Sequence, residues 1–565
     1  MEIDNKDGEA PVDPHTGLLS ATTAISYRSE PMRNRLPLMP NHEGGVTDED
    51  ISMSSWAYGD PATPMLETYP DEPFIIRLLD GAHEEQHAFN IEGMSWRKEI
   101  TDPVSPIVEE QTIGISEAFN IRIDKPYSAG DYLYYFGGID DLWLGLWGII
   151  RVHNCIQKNL LPLCREQNLP PPKKFEPPKG AVVRKFSVAA IQKNLVYNKY
   201  GDHDPDGLLF VPLDNVYDVI KGKEKPILLI LRANAGDWIE VTLYNMFDIN
   251  RPIKHFEYPS VPLEYPHKPS DRVSLNPQFL SYDPICSSGI NVGYNKIEQT
   301  AGPGEKIRYL WHADKEYGAC IINSFGDVRN HRYHGLFGAI IIEPVEAVWF
   351  DGLNCRKKTY GEQAVITSPE KETFREFVLF AQNGIRLLDK NGNLIKTTEQ
   401  DAEESAQGAP DHEDTGEKGY NYRSERFFNR LKQNPQISKV FSSKEHGDPA
   451  TPLFMAYEGE KIVFRYMMSA DKPRNISFVL HGHQWKSQPD DPFSNVISVQ
   501  GAVSVGGSYR IEPESKTSGP GDYLYRSGSL RWDVESGMWG ILRIMKRSLK
   551  CRCANILRRI IKCWK

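Results

Sequence analysis

The chain repeats itself. "YRSEPMRNRL" at 27–36 returns as "YRSERFFNRL" at 422–431, and "GDPATP" fills both 59–64 and 447–452. The likeness continues as pattern. "FNIEGMSW" (89–96) falls on "FVLHGHQW" (478–485), and "AGDYLYYFGGIDDLWLGLWGIIRV" (129–152) falls on "PGDYLYRSGSLRWDVESGMWGILRI" (520–544). Four blocks recurring in order at nearly constant offset require one domain type near both ends. A more distant relative stands between them. There "AGDWIEVTLYN" (235–245) has the shape of "EGEKIVFRYMM" (458–468), and "GLFGAIIIEP" (335–344) that of "GMWGILRIM" (537–545).

Each copy shows a Gly or acidic turn, an alternating stretch and a closing G-[LM]-[WF]-G stretch. Period-two alternation means half-buried strands. The 44 Gly and 40 Pro punctuate them, and long helical periodicity is scarce. The expected fold is all-β, three tandem Greek-key sandwiches of roughly 120–160 residues each. The expected layout is a polar segment 1–19, a first sandwich 20–155 and a Pro-rich linker 156–182. A second sandwich 183–346 and a linker 347–372 follow, then a third sandwich 373–545 and a tail 546–565. Within the third, "REFVLFAQNGIRLLDKNGNLIK" (375–396) reads as a hairpin turned at Asp389–Gly392. An acidic insertion, 396–420, is too poor in apolar residues to order itself. The second sandwich opens on the strand-like "VRKFSVAAIQKNLVYNK" (183–199). The first has no such opening, because the repeat offset of 395 (27 to 422) puts that strand before residue 1. The expectation is a piece of something longer, or a sandwich completed by a second polypeptide.

Net charge −10 and a pI near 5.9 argue against nucleic acid as a partner. No apolar run reaches membrane-spanning length, and the acidic start lacks a signal peptide's basic end and apolar stretch. The expected location is the cytoplasm, or a cell or spore surface layer reached by a leaderless route. Eight Cys in 565 residues make no disulfide scaffold. Cys320 reads as a small buried residue or as a partner for Cys286. The tail "KRSLKCRCANILRRIIKCWK" carries eight Lys/Arg and no acid. Ile556, Leu557, Ile560, Ile561 and Trp564 share one helical face, which suits an anionic membrane surface or a partner groove. The alternative is a frayed tail past the last strand.

His83-Glu84-Glu85-Gln86-His87 satisfies the zinc-protease pattern H-E-x-x-H. That chemistry needs both His on one helical face, and both flanks here read as strand. The protease reading therefore fails. What remains is a charged turn with His87 buried, or a hard divalent ion such as manganese held by His83, Glu84, Glu85 and His87.

"YLWHADKEYGACIINSFGDVRNHRYHGLFGAIIIEP" (309–344), "SDRVSLNPQFLSYDP" (270–284) and "GDYLYRSGSLRWDVESGMWG" (521–540) resemble the plastocyanin-like (cupredoxin) domains of multicopper oxidases. The nearest are the large bacterial forms related to manganese oxidases, and the resemblance covers most of 20–545. It implies cupredoxin-like sandwiches and copper as cofactor. One type 1 copper would be held by two His and a Cys, and a trinuclear cluster by eight His in four H-x-H pairs. Imidazole suits copper in both oxidation states, and thiolate tunes it for electron transfer.

Of fifteen His, only His481 and His483 form H-x-H, which matches one half-pair of the trinuclear set or a structural strand end. The matching positions of the first domain are Glu92 and Met94. Asn276 stands where the family often has His, and Asn323-Ser324-Phe325 where related domains carry H-x-H. No Cys is followed by His five positions later. His331 and His334 add a second candidate pair, against the reading of a polar loop with satisfied imidazoles. His312 is a weaker candidate, against one of packing. Two functions follow. One is a copper-binding oxidoreductase, coupling one-electron oxidation of a small reductant or a metal ion to oxygen reduction, with ligands lent by another chain. The alternative is a catalytically inactive scaffold or assembly subunit.

Overall fold

The computed structural model describes residues 23–36, 49–81, 86–124, 127–163, 169, 174–254, 269–352, 360–395, 417–470, 475–514 and 519–546. His83, Glu84, Glu85, residues 396–416 of the acidic insertion and tail residues 547–565 lie outside them.

The main strands of the first sandwich are β1 (Leu66–Thr68), β2 (Phe74–Leu79), β3 (His87–Ile91), β4 (Glu110–Ile113), β5 (Ala118–Ile123), β6 (Gly130–Phe136) and β7 (Trp147–Val152). One sheet runs β1-β7-β6-β3-β4, and the facing layer is the antiparallel pair β2-β5. Phe89, Ile91, Ile121, Tyr134 and Ile150 fill the space between.

The second sandwich uses β8 (Val183–Gln192), β9 (Leu208–Pro212), β10 (Leu229–Asn234), β11 (Trp238–Asn245), β12 (Asn276–Pro277), β13 (Ser281–Tyr282), β14 (Lys306–His312), β15 (Gly318–Asn323) and β16 (Phe337–Glu343). Its sheets run β9-β8-β11-β14-β13 and β10-β16-β15-β12.

The third begins earlier than the sequence suggests. β17 (Val348–Phe350) and β18 (Gln363–Thr367) fall inside the expected linker 347–372 and pair onward to β19 (Phe374–Ile385). Residues 417–420, expected to close the mobile insertion, form β20 (Glu417–Tyr420) against β19. Both segments are too short to show a period, and both are ordered by pairing with β19. The remaining strands are β21 (Leu453–Tyr457), β22 (Lys461–Ala470), β23 (Ile476–Leu480), β24 (Val499–Val503), β25 (Ser508–Ile511), β26 (Gly521–Arg526) and β27 (Trp539–Met545). One sheet runs β17-β18-β19-β22-β25; the other runs β21-β27-β26-β23-β24, the same order as β1-β7-β6-β3-β4.

The expected turn at Asp389–Gly392 is present. Asp389 Oδ1 accepts from the amides of Asn391 and Asn393, and Gly392 takes φ +84°. Each sandwich touches the other two. Val378, Phe380 and Met467 of the third share a core with Ile321, Phe337 and Ala339 of the second. Leu133, Tyr135 and Trp147 of the first pack with Ile290, Val292 and Phe325 of the second. Ser504 of the third donates to Glu110 Oε1 of the first at 2.7 Å. No helix of the described residues is long and apolar enough to cross a membrane. Cys155, Cys286 and Cys320 are free thiols, so the Cys286–Cys320 pairing does not form; Cys320 is the buried core residue.

Candidate metal centre

His481 and His483 sit on the turn that leaves β23, with Gly482 between them at φ +73°. The His481 amide donates to Leu524 O and the His483 amide to Leu480 O, which fixes the turn against β26. His483 Nδ1–H donates to His481 O at 3.0 Å, and its ring stands edge-on to Tyr523 at 4.9 Å. That bond fixes the tautomer and leaves Nε2 as a bare lone pair, buried without a hydrogen-bond partner. His481 is exposed, and its Nε2 accepts from Arg526 Nε at 3.0 Å. Burial lowers both pKa values, and Arg526 lowers that of His481 further. Both rings are therefore neutral near pH 7, the form that binds a metal.

The positions that lack His are filled by hydrogen-bond networks. Glu92 Oε1 accepts from Tyr135 O–H at 2.8 Å, and Arg332 Nη2 reaches the same phenol oxygen. Burial pushes Glu92 up to about 7, against the pull of Tyr135 and Arg332. Met94 is buried in the first core. Asn276 Nδ2 donates to Ser288 O at 2.8 Å. Ser324 Oγ accepts from the Ser274 amide and holds His331 Nδ1 at 2.9 Å.

Each of the other candidate His among the described residues meets a protein group at one ring nitrogen or face at least. His331 donates from Nε2 to Ser270 O at 3.0 Å while Nδ1 takes the Ser324 hydroxyl, so both ring nitrogens are used. Burial lowers its pKa. His334 Nδ1–H donates to Asp204 Oδ2 at 2.8 Å. Burial pulls its pKa down, but the charge and hydrogen bond of Asp204 outweigh that and raise it. The structure thus gives His331 and His334 separate protein partners. His312 stacks on Trp238 at 4.7 Å, in register with it across β14 and β11. His87 opens β3 and pairs through Nδ1 with Asp141 Oδ2 at 3.0 Å. It lies on a strand, as the flanks implied, so no helical face joins it to His83.

Among the described residues no cluster of three or more His, Cys, Asp or Glu is poised to hold a metal ion. One open imidazole beside one that faces an arginine does not by itself make a trinuclear copper cluster. Cys320 lies in the second core with Sγ toward Gly318 O, and among the described residues it belongs to no group of three or more His, Cys, Asp or Glu, so a type 1 set does not fit either.

The sequence missed the ionic centre of the molecule. Arg232 Nη1 lies 2.5 Å from Glu376 Oε2, Arg465 Nε 3.1 Å from Glu376 Oε1, and Arg465 Nη2 3.4 Å from Glu343 Oε1, all buried where the second and third sandwiches meet. Burial raises Glu343 while the two arginines hold Glu376 below the usual carboxylate range. On an alternating strand these charges read as solvent-facing.

No protein-family model matches the chain, and no curated protein does. Among solved structures it is similar to one titled crystal structure of multicopper oxidase, at 14% identity and TM-score 0.37. That likeness covers 65% of this chain and 91% of the other. A second is a copper nitrite reductase from Nitrosomonas europaea, at 15% identity and TM-score 0.37, covering 64% of this chain and 94% of the other. Likenesses this slight add nothing to the strand order described above.

Proposed function

We propose that this chain is a multicopper-oxidase-like subunit of oxidoreductase type. It keeps cupredoxin-like sandwiches and lends one imidazole pair, His481 and His483, to a copper centre completed by another polypeptide. The observation that carries this reading is the buried, unpartnered Nε2 of His483. A buried nitrogen lone pair without a donor costs free energy unless something occupies it. The substrate class is a small reductant or a metal ion, manganese included, oxidised one electron at a time with oxygen as the acceptor. A second reading, a catalytically inactive assembly scaffold, draws on Arg526. A guanidinium donating to His481 Nε2 both uses the lone pair and repels a cation.

The deciding measurement is copper per purified chain by elemental analysis, with optical and paramagnetic-resonance spectra on the same sample. The expected result is weak copper binding without a blue thiolate band, abolished in the His481→Ala/His483→Ala variant. Copper that is unaffected by that variant, or none at all, leaves the scaffold reading. Several tightly held coppers with an intense blue band sink both.

A further inference from the structure

Among the described residues β2 has a partner on one side only. Its counterparts do not: β22 lies between β25 and β19, and β11 between β14 and β8. In both cases the extra strand runs parallel, from Phe374↔Lys461 to Ala381↔Met468 in the third sandwich and from Val183↔Trp238 to Ala190↔Asn245 in the second. That strand has two jobs. Phe377, Leu379 and Ala381 of β19 enter their own core beside Phe454, Phe464 and Tyr525. Val378 and Phe380, on its other face, enter the core shared with the second sandwich.

In the first sandwich the corresponding place is an open groove of about 610 Å³, lined by Ile25, Leu66, Phe74, Ile76, Leu78 and Tyr134. Leu66, Ile76 and Tyr134 hold the repeat positions of Phe454, Phe464 and Tyr525. The residues around the groove hold repeat positions that are buried in the third sandwich, and they are far more exposed. Tyr422 is 3% exposed and its hydroxyl donates to Gly335 O, while Tyr27, its repeat partner, is 89% exposed. Met467 is 0% exposed and Leu79 is 69%; Val463 is 1% and Ile75 is 44%. A sheet edge with unpaired backbone groups beside an apolar groove is the setting for strand addition.

We infer that the open side of the first sandwich binds an apolar extended segment from outside this sequence, which adds a strand parallel to β2. Its alternate apolar side chains fill the groove, and its sandwich covers Tyr27, Ile75 and Leu79. By analogy with Glu343 opposite Arg465, that partner sets a carboxylate against Arg77. Residues 1–22 of this chain do not meet the need. They carry two prolines and no alternating apolar run. They are also shorter than the stretch from Phe374 to Glu417 that supplies both strand and crossover in the third sandwich. The inference does not depend on copper, and its failure leaves the metal reading untouched.

The test is hydrogen exchange of the β2 amides in the full chain, with and without a synthetic peptide copying residues 374–385. The expected result is open-edge β2 amides that exchange freely alone and at least tenfold more slowly with peptide. A control peptide carrying F377D, L379D and A381D has no effect. Absence of peptide protection overturns the inference. So does protection already present without peptide, in either of two forms. Loss of that protection on deleting residues 1–22 means that the chain fills its own groove. A dimer by light scattering that the Leu79→Asp variant dissociates means that a second copy covers it.

Discussion

Arg465 lies in the buried seam between the second and third sandwiches, within reach of Glu376 and Glu343. Arg77 holds the same repeat position, yet it is exposed and hydrogen-bonds to Asn120. Removing one member of a buried ionic set strands the others, at roughly 3–5 kcal/mol. An exposed arginine costs within about 0.5 kcal/mol. Arg465→Met should therefore cost several kcal/mol in urea unfolding, and Arg77→Met almost nothing. Equal costs would mean that the seam is wetter than its geometry implies. Burial, which separates these two residues, is also why the ionic centre escaped a reading of the sequence. The same letter stands at the same place in the repeat, and only the neighbouring sandwich makes it interior. The candidate imidazoles divide in the same way. The H-x-H spacing picked out His481 and His483, but spacing did not say that His331 faces Ser324 and Ser270, or that His334 faces Asp204.

The turns that join elements separate two roles of glycine. Gly392 has φ +84° with nothing near an added Cβ, whereas Gly335 has φ +103° and its Cβ would meet the Tyr422 ring at 2.9 Å. Left-handed backbone costs an L-residue about 1–2 kcal/mol. Gly392→Ala should lose that much in urea denaturation. Gly335→Ala should lose more, because it also pushes Tyr422 from its socket; pairing it with Tyr422→Ala should recover part of the excess. Absence of recovery would show that Tyr422 does not lock the two sandwiches. The long alternating strands were legible from sequence. β17, β18 and β20 were not, because three to five residues carry no reliable period and each is held by pairing outward from β19.

Across the whole molecule, Glu92, Glu110 and Glu417 are pushed to about 7 by burial. The native state therefore holds protons that the unfolded chain has already lost. Stability falls as pH rises from about 4.5 to about 7, then levels off. In the other direction, Asp60 and Asp448 are held below the usual range, chiefly by hydrogen bonds from Arg151 and Arg543. Their contribution is lost as pH falls through their depressed values. Calorimetric Tm should peak near about pH 5 and decline toward neutrality. Glu110 accepts from Ser504 across the first–third contact. Glu110→Gln keeps an acceptor there and should flatten the decline, leaving the variant more stable than the parent at alkaline pH. An unchanged slope would mean that Glu110 is ionised in the native state.

The sequence by itself determined the all-β class, the repeat and the poverty of its metal ligands, because period-two alternation, recurring blocks and residue identity are local properties. The tertiary structure alone decided which polar residues are interior, which imidazole keeps a free lone pair and which sheet edge stays open. Each of those depends on what another sandwich, far away in the chain, places against the residue.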